Sequence, residues 1–389
     1  MYNKAINKQR SSMSGLELLR STKIVSTVGT ATDGTSKLKS LIKAGVNVFR
    51  LNFSHGNHGD HLKRITNIRS VANEVGCNVA ILADLQGPKF RIGEVKSDIK
   101  VIKGNNYIFD KNSEIGDFSR VNLSHDEIYE SLSIGSNILM DDGKLQFVVK
   151  KISKDKINTE VVVGGYIKSN KGINLPDVVI NTNPLTPKDI EDLKFILNQD
   201  VDWIALSFVQ KLSDVEEVKK YIGDKAGVIA KIEKPSALKE LKSIIGACEG
   251  IMVARGDLGV ELPPEKVPGI QKEIILECRQ AGKPVIVATQ MLESMIDSPS
   301  PTRAEASDVA TAVFDGADAV MLSAETAVGL FPTEAVTIMD RIICSAEKHI
   351  KSHRGDGPQN LKVENFVYNA VSHSAVSLAE SVKAKAVVA

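Results

Sequence analysis

The sequence has few aromatic residues and almost no net charge. Its 389 residues include one Trp, and Phe, Trp and Tyr together make up 5%, so no aromatic surface for stacking single-stranded nucleic acid is evident. The 49 Lys and Arg residues are balanced by 48 Asp and Glu residues, which gives no support to electrostatic binding of nucleic acid or an anionic membrane. We therefore expect neither nucleic acid nor a membrane as a partner.

Cysteines in paired spacing and long apolar segments are also absent. Cys77, Cys248, Cys278 and Cys344 are scattered without a C-x-x-C motif, which favours reduced, structural thiols in a cytoplasmic protein. Residues 1–21 lack the apolar stretch that a secretory signal or a membrane span requires. We interpret this basic, serine-containing stretch as an N-terminal leader, and an organelle transit peptide is the alternative.

Short apolar runs rich in Val and Ile recur along the chain. They are residues 23–29, 46–53, 78–85, 202–208, 227–233, 250–259, 284–290 and 319–325. Each has the length of a strand, and near-continuous apolar character is typical of parallel strands that are covered on both faces. Residues 36–45 and 212–223, which lie between runs, have the apolar spacing of helices.

Eight strands that alternate with helices predict an α/β fold, a (β/α)8 TIM barrel with its site at the carboxyl ends of the strands. A doubly wound open sheet is the alternative, but a G-x-G-x-x-G motif after the first strand is missing. We assign the barrel to residues 22–87 and 174–353.

The third and fourth runs are too far apart for one connecting helix. Residues 88–173 instead alternate apolar and polar positions around turn signals such as "DDGK" at 141–144. We predict an inserted antiparallel domain there, a small β-barrel that acts as a lid over the site. Residues 354–389 contain a linker at 354–360, a helical stretch and the final "VVA", which we interpret as the start of a C-terminal α/β domain.

The run "IAKIEKP" at 229–235 carries two charges in an apolar context. Alternate residues of a strand share a face, so Lys231 and Glu233 point the same way. A buried ion pair is one interpretation. The other is a metal site, because Asp257 follows the next strand and two carboxylates from adjacent strands can hold Mg²⁺.

Other polar residues also follow strand ends. They are Arg50, Asn52, Ser54, His55, Thr289, Ser323 and Glu325. Arg50 suits a phosphate, which a guanidinium grips with two parallel hydrogen bonds, and the amides near Gly256 and Gly259 suit a carboxylate or phosphate. These residue types together predict a Mg²⁺ enzyme that acts on small phosphorylated anions.

The order of motifs resembles the pyruvate kinases over residues 22–389. The matching segments are "TKIVSTVG", "VFRLNFSHG", "ADLQGPKFRIGE", "MDDGK", "KGINLP", "SFVQ", "AKIEKP", "GIMVARGDLGVELP", "GKPVIVATQMLESM", "PTRAEASDVA" and "DGADAVMLSAETAVGLFP". The resemblance implies a (β/α)8 barrel with a β-domain inserted after the third strand. It also implies transfer of a phosphoryl group from phosphoenolpyruvate to ADP, which gives pyruvate and ATP in glycolysis.

The resemblance also implies roles for individual residues. Glu233 and Asp257 correspond to ligands of Mg²⁺ or Mn²⁺, and Lys231 corresponds to the cation that stabilises the transferring phosphoryl group. Arg50 matches a phosphate-binding arginine. The substrate carboxylate is matched by Gly256, Asp257 and Thr289.

Three further groups are implied by the resemblance alone. The water network that protonates the enolate is matched by Thr289, Ser323 and Glu325. The nucleotide side is matched by Asn52, His55, Arg91 and Lys171, of which Arg91 and Lys171 stand at the two hinges of the lid. The pocket for a monovalent cation, K⁺, is matched by Asn52, Ser54, Asp84 and the backbone of Leu85.

The chain departs from the family pattern at Thr30 in the barrel and at Lys89 at the start of the insert. Thr30 replaces a usual proline beside the adenine, so a fixed φ is lost there. Lys89 replaces the glutamate of potassium-requiring members, and Leu85, Gln86 and Ile92 follow the potassium-independent pattern. We expect the Lys89 ammonium to supply the positive charge that K⁺ otherwise brings, with a solvated Lys89 as the alternative.

The third departure is at the C-terminus, where most of the family's last domain has no counterpart in residues 354–389. The resemblance implies homotetramers, and we expect one of two explanations for this difference: the sequence is a fragment of a longer protein, or its folding and assembly are compromised. Two rival functions stay open at this point: a Mg²⁺-dependent lyase or aldolase that binds pyruvate, and an inactive binding protein. Consumption of phosphoenolpyruvate that depends on ADP separates both from a kinase.

Overall fold

The computed structural model describes residues 20–176, 178–180, 182–353, 366–382 and 384. Nearly all of the predicted leader lies outside these residues, as do the linker at 354–360 and the final strand at 387–389. Within the described ranges, no helix combines the length and the apolar character needed to cross a membrane.

The strands fall into three groups along the chain. The first is β1 (Lys23–Thr27), β2 (Val48–Asn52) and β3 (Ala80–Asp84). The second is β4 (Ile99–Val101), β5 (Asn106–Asp110), β6 (Arg120–Asn122), β7 (Asn137–Met140), β8 (Leu145–Ile152), β9 (Lys156–Val163), β10 (Gly165–Ile167) and β11 (Ile173–Asn174). The third is β12 (Trp203–Leu206), β13 (Gly227–Ile232), β14 (Gly250–Ala254), β15 (Val285–Ala288) and β16 (Ala319–Leu322).

The first and third groups form one closed barrel in the order β1-β16-β15-β14-β13-β12-β3-β2. Every neighbouring pair is parallel, including the closing pair, in which Lys23 lies opposite Ala319. Each of the eight apolar runs supplies one barrel strand, so the predicted TIM barrel is confirmed. All carboxyl ends of the strands therefore open onto the same side of the molecule.

The structure describes thirteen helices, most of which surround the barrel, while the short helix Asp126–Ser131 packs in the core of the insert. In chain order they are α1 (Thr35–Ala44), α2 (His58–Val75), α3 (Asp126–Ser131), α4 (Pro187–Ile196), α5 (Leu212–Ile222), α6 (Pro235–Lys239), α7 (Leu241–Ala247), α8 (Arg255–Glu261), α9 (Val267–Gln280), α10 (Arg303–Asp315), α11 (Ala324–Ala327), α12 (Pro332–His353) and α13 (Phe366–Ser381). The predicted helix at 36–45 is confirmed as α1, whose buried side is Leu38, Leu41 and Ile42. It ends at Gly45, whose φ of 117° closes the last turn in the left-handed region.

The apolar residues of the barrel strands pack in two directions. Val25, Leu82, Ile229, Met252 and Ile286 belong to a buried cluster that fills the inside of the barrel. A larger buried cluster joins the opposite faces of the strands to the surrounding helices. This double burial is the physical reason for the near-continuous apolar runs.

The insert has its own sheets and its own core. β11, β7, β8, β9, β5 and β6 form a six-stranded sheet, and β10 pairs with β4 in a separate ribbon. The predicted "DDGK" turn joins β7 to β8, where Asp141, Asp142 and Gly143 all have positive φ. The expectation of wholly antiparallel pairing was wrong for β5 and β6, which are parallel because the connection between them crosses over instead of turning back.

The two ends of the insert lie side by side. The Ile92 amide donates to the Lys171 carbonyl at 3.0 Å, and the Ile173 amide donates to the Phe90 carbonyl at 2.9 Å. The chain therefore leaves and re-enters the barrel through one hydrogen-bonded double connection. The boundaries at 88 and 173 stay a prediction, and Asn174 still pairs with β7 of the insert.

Candidate active site

A cleft of about 630 Å³ opens between the barrel's carboxyl-terminal end and the insert. Its lining includes Gly256 and Asp257 of α8, Lys89 from the start of the insert and Asp142 from the β7–β8 turn. Barrel and insert thus both contribute polar groups to one concave surface, as expected for a site at this end of the fold.

Lys231 and Glu233 stand together at the end of β13. The Lys231 Nζ lies 3.0 Å from Oε1 of Glu233, and the exposed fractions of the two residues are 9% and 1%. The second oxygen, Oε2, accepts the Phe208 amide at 2.7 Å. The expected common face is confirmed, and in the described chain the two charges form the buried ion pair that was one of the two interpretations.

Asp84 extends this pair into a chain of alternating charges. Its Oδ1 lies 3.2 Å from the Lys231 ammonium, and its Oδ2 accepts Nε of Arg50 at 2.6 Å. Arg50 also donates from Nη1 to the hydroxyl of Thr27 at 3.1 Å. Side chains of β1 and β3, the two strands that flank β2, therefore hold the guanidinium of Arg50.

Burial and charge act in opposite directions on these groups. Burial opposes ionisation of Asp84, but Lys231 and Arg50 outweigh it and hold the pKa of Asp84 below its ordinary value. Burial likewise disfavours the Lys231 ammonium, but Asp84 and Glu233 raise its pKa. Burial raises the pKa of Glu233, Lys231 only partly offsets this, and the charge of Asp257 raises the pKa further. A cation beside Glu233 and Asp257 would relieve that repulsion.

Asp257 lies in the first turn of α8, three residues beyond the end of β14. Its Oδ1 is 3.3 Å from Nζ of Lys89, and both side chains are about one-quarter exposed, at 28% and 25%. The ammonium of Lys89 therefore reaches the carboxylate predicted as a metal ligand. Nothing in the local sequence around either residue signals this contact, because it depends on how the insert meets the barrel.

Gly256 and Thr289 are joined directly. The Gly256 amide donates to Oγ1 of Thr289 at 2.7 Å, and that hydroxyl donates to the Ala288 carbonyl at 2.6 Å. Thr289 has a φ of 70°, a conformation that costs a β-branched residue about 1–3 kcal/mol and that concentrates at functional sites. The close approach of α8 to the end of β15 holds the hydroxyl at the rim of the cleft.

Glu325 is buried beneath the end of β16. It is 2% exposed, and its oxygens accept the amides of Ser323 at 2.7 Å and Leu292 at 3.2 Å. Burial raises the pKa of Glu325, and these amide bonds oppose the rise. The carboxyl group thereby fixes the backbone at the ends of β15 and β16.

The predicted pocket for a monovalent cation has most of its oxygens already bonded within the protein. Oδ1 of Asn52 accepts the Ser54 amide at 3.0 Å, and the Leu85 carbonyl accepts the hydroxyl of Ser207 at 2.7 Å. The positive charge beside Asp84 comes from Arg50 and Lys231. His55 is exposed in the loop that follows.

Arg91 and Lys171 face each other across the hinge of the insert. Arg91 donates from Nη1 to the Asn170 carbonyl at 3.0 Å. Lys171 places Nζ 2.7 Å from Oδ1 of Asp141, in the β7–β8 turn, and this ion pair holds the pKa of Asp141 below its ordinary value. These contacts of Arg91 and Lys171 are therefore with residues of the insert.

Two contributors to the site were missed in the sequence. The Lys231 ammonium donates to Oγ of Ser207 at 2.7 Å, and Phe208, with a φ of 56°, turns its amide towards Glu233. The "SFVQ" segment at the end of β12 was the available signal, because a polar residue that ends a barrel strand points to the site. Gly87 allows this packing, since a Cβ there would lie 2.8 Å from Cβ of Ser207.

Comparison with known proteins was made by sequence and by structure. A family model described as the pyruvate kinase barrel domain matches residues 19–336. A pyruvate kinase of Agrobacterium vitis is 50% identical over 376 residues, which cover 95% of this chain and 78% of the relative. One of Methylorubrum extorquens is 47% identical over 371 residues, with 95% and 78% covered.

A solved structure gives the same result. The crystal structure of a pyruvate kinase from Cryptosporidium parvum superposes with a TM-score of 0.86 at 38% identity. The match covers 94% of this chain and 77% of that chain.

Proposed function

Since the chain belongs to the pyruvate kinase family, and is therefore a phosphotransferase with phosphoenolpyruvate and ADP as substrates, we propose how its own residues carry out the reaction. In this proposal Glu233 and Asp257 hold Mg²⁺, and Lys231 stabilises the phosphoryl group during transfer. The observation that carries it is the buried chain of alternating charges that ends at Glu233, beside the cleft lined by Asp257.

The two carboxylates suit Mg²⁺ or Mn²⁺. Hard oxygen donors are what these ions take, and they commonly bind through one or two carboxylates and complete their shell with water and substrate oxygens. Bound Mg²⁺ would neutralise negative charge on the oxygens of the substrate.

Lys231 is fixed before substrate arrives. Its ammonium has Asp84, Glu233 and Ser207 as partners and is almost fully buried. A cation held in this way needs little reorganisation as charge develops on the phosphoryl oxygens, and such preorganisation is the main contribution that a protein makes to phosphoryl transfer. Arg50, on the far side of Asp84, is suited to grip the phosphate during the same step.

The other residues of the site are proposed to bind the substrate carboxylate, the catalytic water and the nucleotide. Gly256, Asp257 and Thr289 bind the carboxylate of phosphoenolpyruvate, and Thr289 with Ser323 and Glu325 orders the water that protonates the enolate. Asn52, His55, Arg91 and Lys171 contact the nucleotide. The support for the water-ordering group is the positive φ of Thr289 and the burial of Glu325, which accepts the Ser323 amide.

We further propose that the enzyme works without K⁺. The support is that the positive charges of Arg50 and Lys231 already lie beside Asp84. Lys89 brings a third positive charge to the site, beside Asp257. Asn52, Ser54, Asp84 and Leu85 then serve as a bonded framework in place of a filled cation pocket.

A coupled assay of pyruvate formation tests the central role. We expect Lys231→Met to lower kcat by about 10²–10³-fold, the usual loss when one preorganised donor to a transition state is removed, while Mn²⁺ still binds. Lys242→Met, which removes an exposed lysine on the outside of the barrel, is the matched control. Equal turnover in the Lys231→Met variant and the parent would refute the mechanism.

A further inference from the structure

A second buried ion pair lies just outside the site. Nζ of Lys234 is 2.5 Å from Oε1 of Glu261, and the same oxygen accepts Nδ2 of Asn174 at 3.0 Å. Exposed fractions are 9% for Lys234 and 4% each for Glu261 and Asn174. None of these residues has a role in the mechanism above.

We propose that this Lys234–Glu261–Asn174 cluster is a positioning device that sets the distance between Glu233 and Asp257 and ties the metal site to the lid. The inference rests on the proposed metal ligands. The position of each member in the chain supports it.

Two members are covalently close to the metal ligands. Lys234 directly follows Glu233 at the end of β13. Glu261 is the last residue of α8 and lies one turn beyond Asp257, on the same side of that helix. An ion pair between Lys234 and Glu261 therefore joins the two segments that carry the metal carboxylates.

The third member belongs to the insert. Asn174 lies on β11, which pairs with β7 through Asn174 opposite Leu139 and Ile173 opposite Met140. It follows Lys171, the hinge residue bonded to Asp141. A shift of the insert therefore moves a group bonded to Glu261, and through α8 it reaches Asp257.

The cluster is a poor device for stability alone. Removing two charges from water is costly, and replacing a buried ion pair by neutral groups of similar shape is often neutral or stabilising for a fold. Oε2 of Glu261 is buried without a hydrogen-bond partner among the described residues, so the carboxylate is not fully compensated. What the charges do provide is one fixed geometry among three segments. Groups that orient metal ligands typically change metal affinity 10–100-fold, and this cluster would orient Glu233 and Asp257 through the backbone, from the adjacent Lys234 and from Glu261 one helical turn away.

The test compares two charge-removing double variants. Lys234→Met/Glu261→Gln removes both charges of the cluster and keeps side-chain shape. Lys219→Met/Glu249→Gln does the same to an ion pair of 2.6 Å at the opposite ends of the strands, where Glu249 also accepts the Val228 amide. Mn²⁺ binding to the purified full chain without substrates is measured by titration calorimetry, and Tm by scanning calorimetry.

We expect the cluster variant to bind Mn²⁺ at least tenfold more weakly than the parent, with a Tm no lower than that of the control variant, which keeps parental affinity. Mn²⁺ affinity within twofold of the parent overturns the positioning role. A cluster variant that fails to fold, or melts below the control, assigns the pair to stability and overturns it too.

Asp257→Asn separates this inference from the function on which it rests. If that variant loses Mn²⁺ binding while the cluster variant keeps it, only the positioning role fails. If Asp257→Asn binds Mn²⁺ like the parent, the assigned metal site is wrong, and the positioning role falls with it.

Discussion

Three cationic and three anionic side chains meet at the ends of the barrel strands. The cations are Arg50, Lys89 and Lys231, and the anions are Asp84, Glu233 and Asp257. Their formal charges cancel, so each charge has a protein partner before any ligand binds. Buried charges in such an arrangement are tolerated because every one is paired.

Lys89 contributes to the proposed cation independence through its contact with Asp257, whereas Arg50 and Lys231 are the cations beside Asp84. We expect the parent enzyme to keep full activity in buffer free of Na⁺ and K⁺. The rate of Lys89→Glu should rise at least about tenfold when KCl is added to that buffer. The physical reason is that the variant reverses the charge beside Asp257, so that one ammonium of the site must be replaced from solution. Initial rates with tetramethylammonium chloride and with KCl check this.

Lys89→Met serves as the control for loss of charge without reversal. It should show an intermediate KCl requirement. A parent enzyme whose rate rises many-fold on addition of KCl would contradict the proposal, whatever the variants do.

At this scale the sequence predicts which residues belong to the site better than it predicts their partners. Period-two alternation is enough to bring Lys231 and Glu233 together, because both lie on one short strand. The contact of Lys89 with Asp257 joins residues 168 positions apart, and no local pattern contains it. Ser207 and Phe208 were overlooked although they end a barrel strand, because their partners Lys231 and Glu233 belong to the next strand and its end.

Among the elements, the barrel strands were predictable because strands that are buried on both faces have nearly continuous apolar sequences. The insert was less predictable. The alternation of apolar and polar residues indicated its strands, but it did not indicate that β5 and β6 run parallel, because that depends on the path of the irregular connection between them. The apolar run at 250–259 was also longer than its strand. β14 ends at Ala254, and the residues that follow form α8, where glycines and an acidic residue replace the apolar character.

Helix α2 carries a buried histidine that supports the loop after β2. His61 stacks on Phe53 with ring centroids 3.9 Å apart and donates from Nε2 to the His55 carbonyl at 3.0 Å. Burial lowers the pKa of His61 from 6.5 to about 4; the hydrogen bond to the His55 carbonyl and the charge of Asp192 oppose this change, and Arg64 and Lys188 add to it. The ring is therefore neutral in the folded enzyme at neutral pH.

This histidine gives a pH dependence of stability with a defined sign. Below pH 6.5 His61 is protonated in the unfolded chain, whereas in the folded chain it is protonated only below about pH 4. The free energy of unfolding therefore falls by up to about 3 kcal/mol as the pH is lowered from 6.5 to 4. We expect His61→Phe, which keeps the stack, to flatten the fall. Urea unfolding at pH 7, 6, 5 and 4.5 measures it.

The control is His349→Phe, on helix α12, well away from the loop. That variant should retain the parent's pH dependence. Parallel curves for His61→Phe and the parent would show that another group is responsible.

The whole molecule should tolerate removal of its metal. Since Glu233 and Asp257 already have Lys231 and Lys89 as partners, we expect EDTA to abolish turnover and to lower Tm by less than about 4 °C, the shift that about 1 kcal/mol causes in a large domain. Scanning calorimetry with and without EDTA, followed by restoration of the rate with MgCl₂, checks both parts. Unfolding in EDTA would instead make the metal structural.

The closure of the barrel has a consequence for how the enzyme is made. The hydroxyl of Thr27 donates to the Leu322 carbonyl across a separation of 295 residues. At about 5–20 residues per second, a ribosome needs roughly 15–60 s to deliver the second partner after the first. Until β16 is synthesised, one edge of β1 has no strand to pair with. Because β1 has only five residues, it exposes little backbone that could form hydrogen bonds with a neighbouring nascent chain.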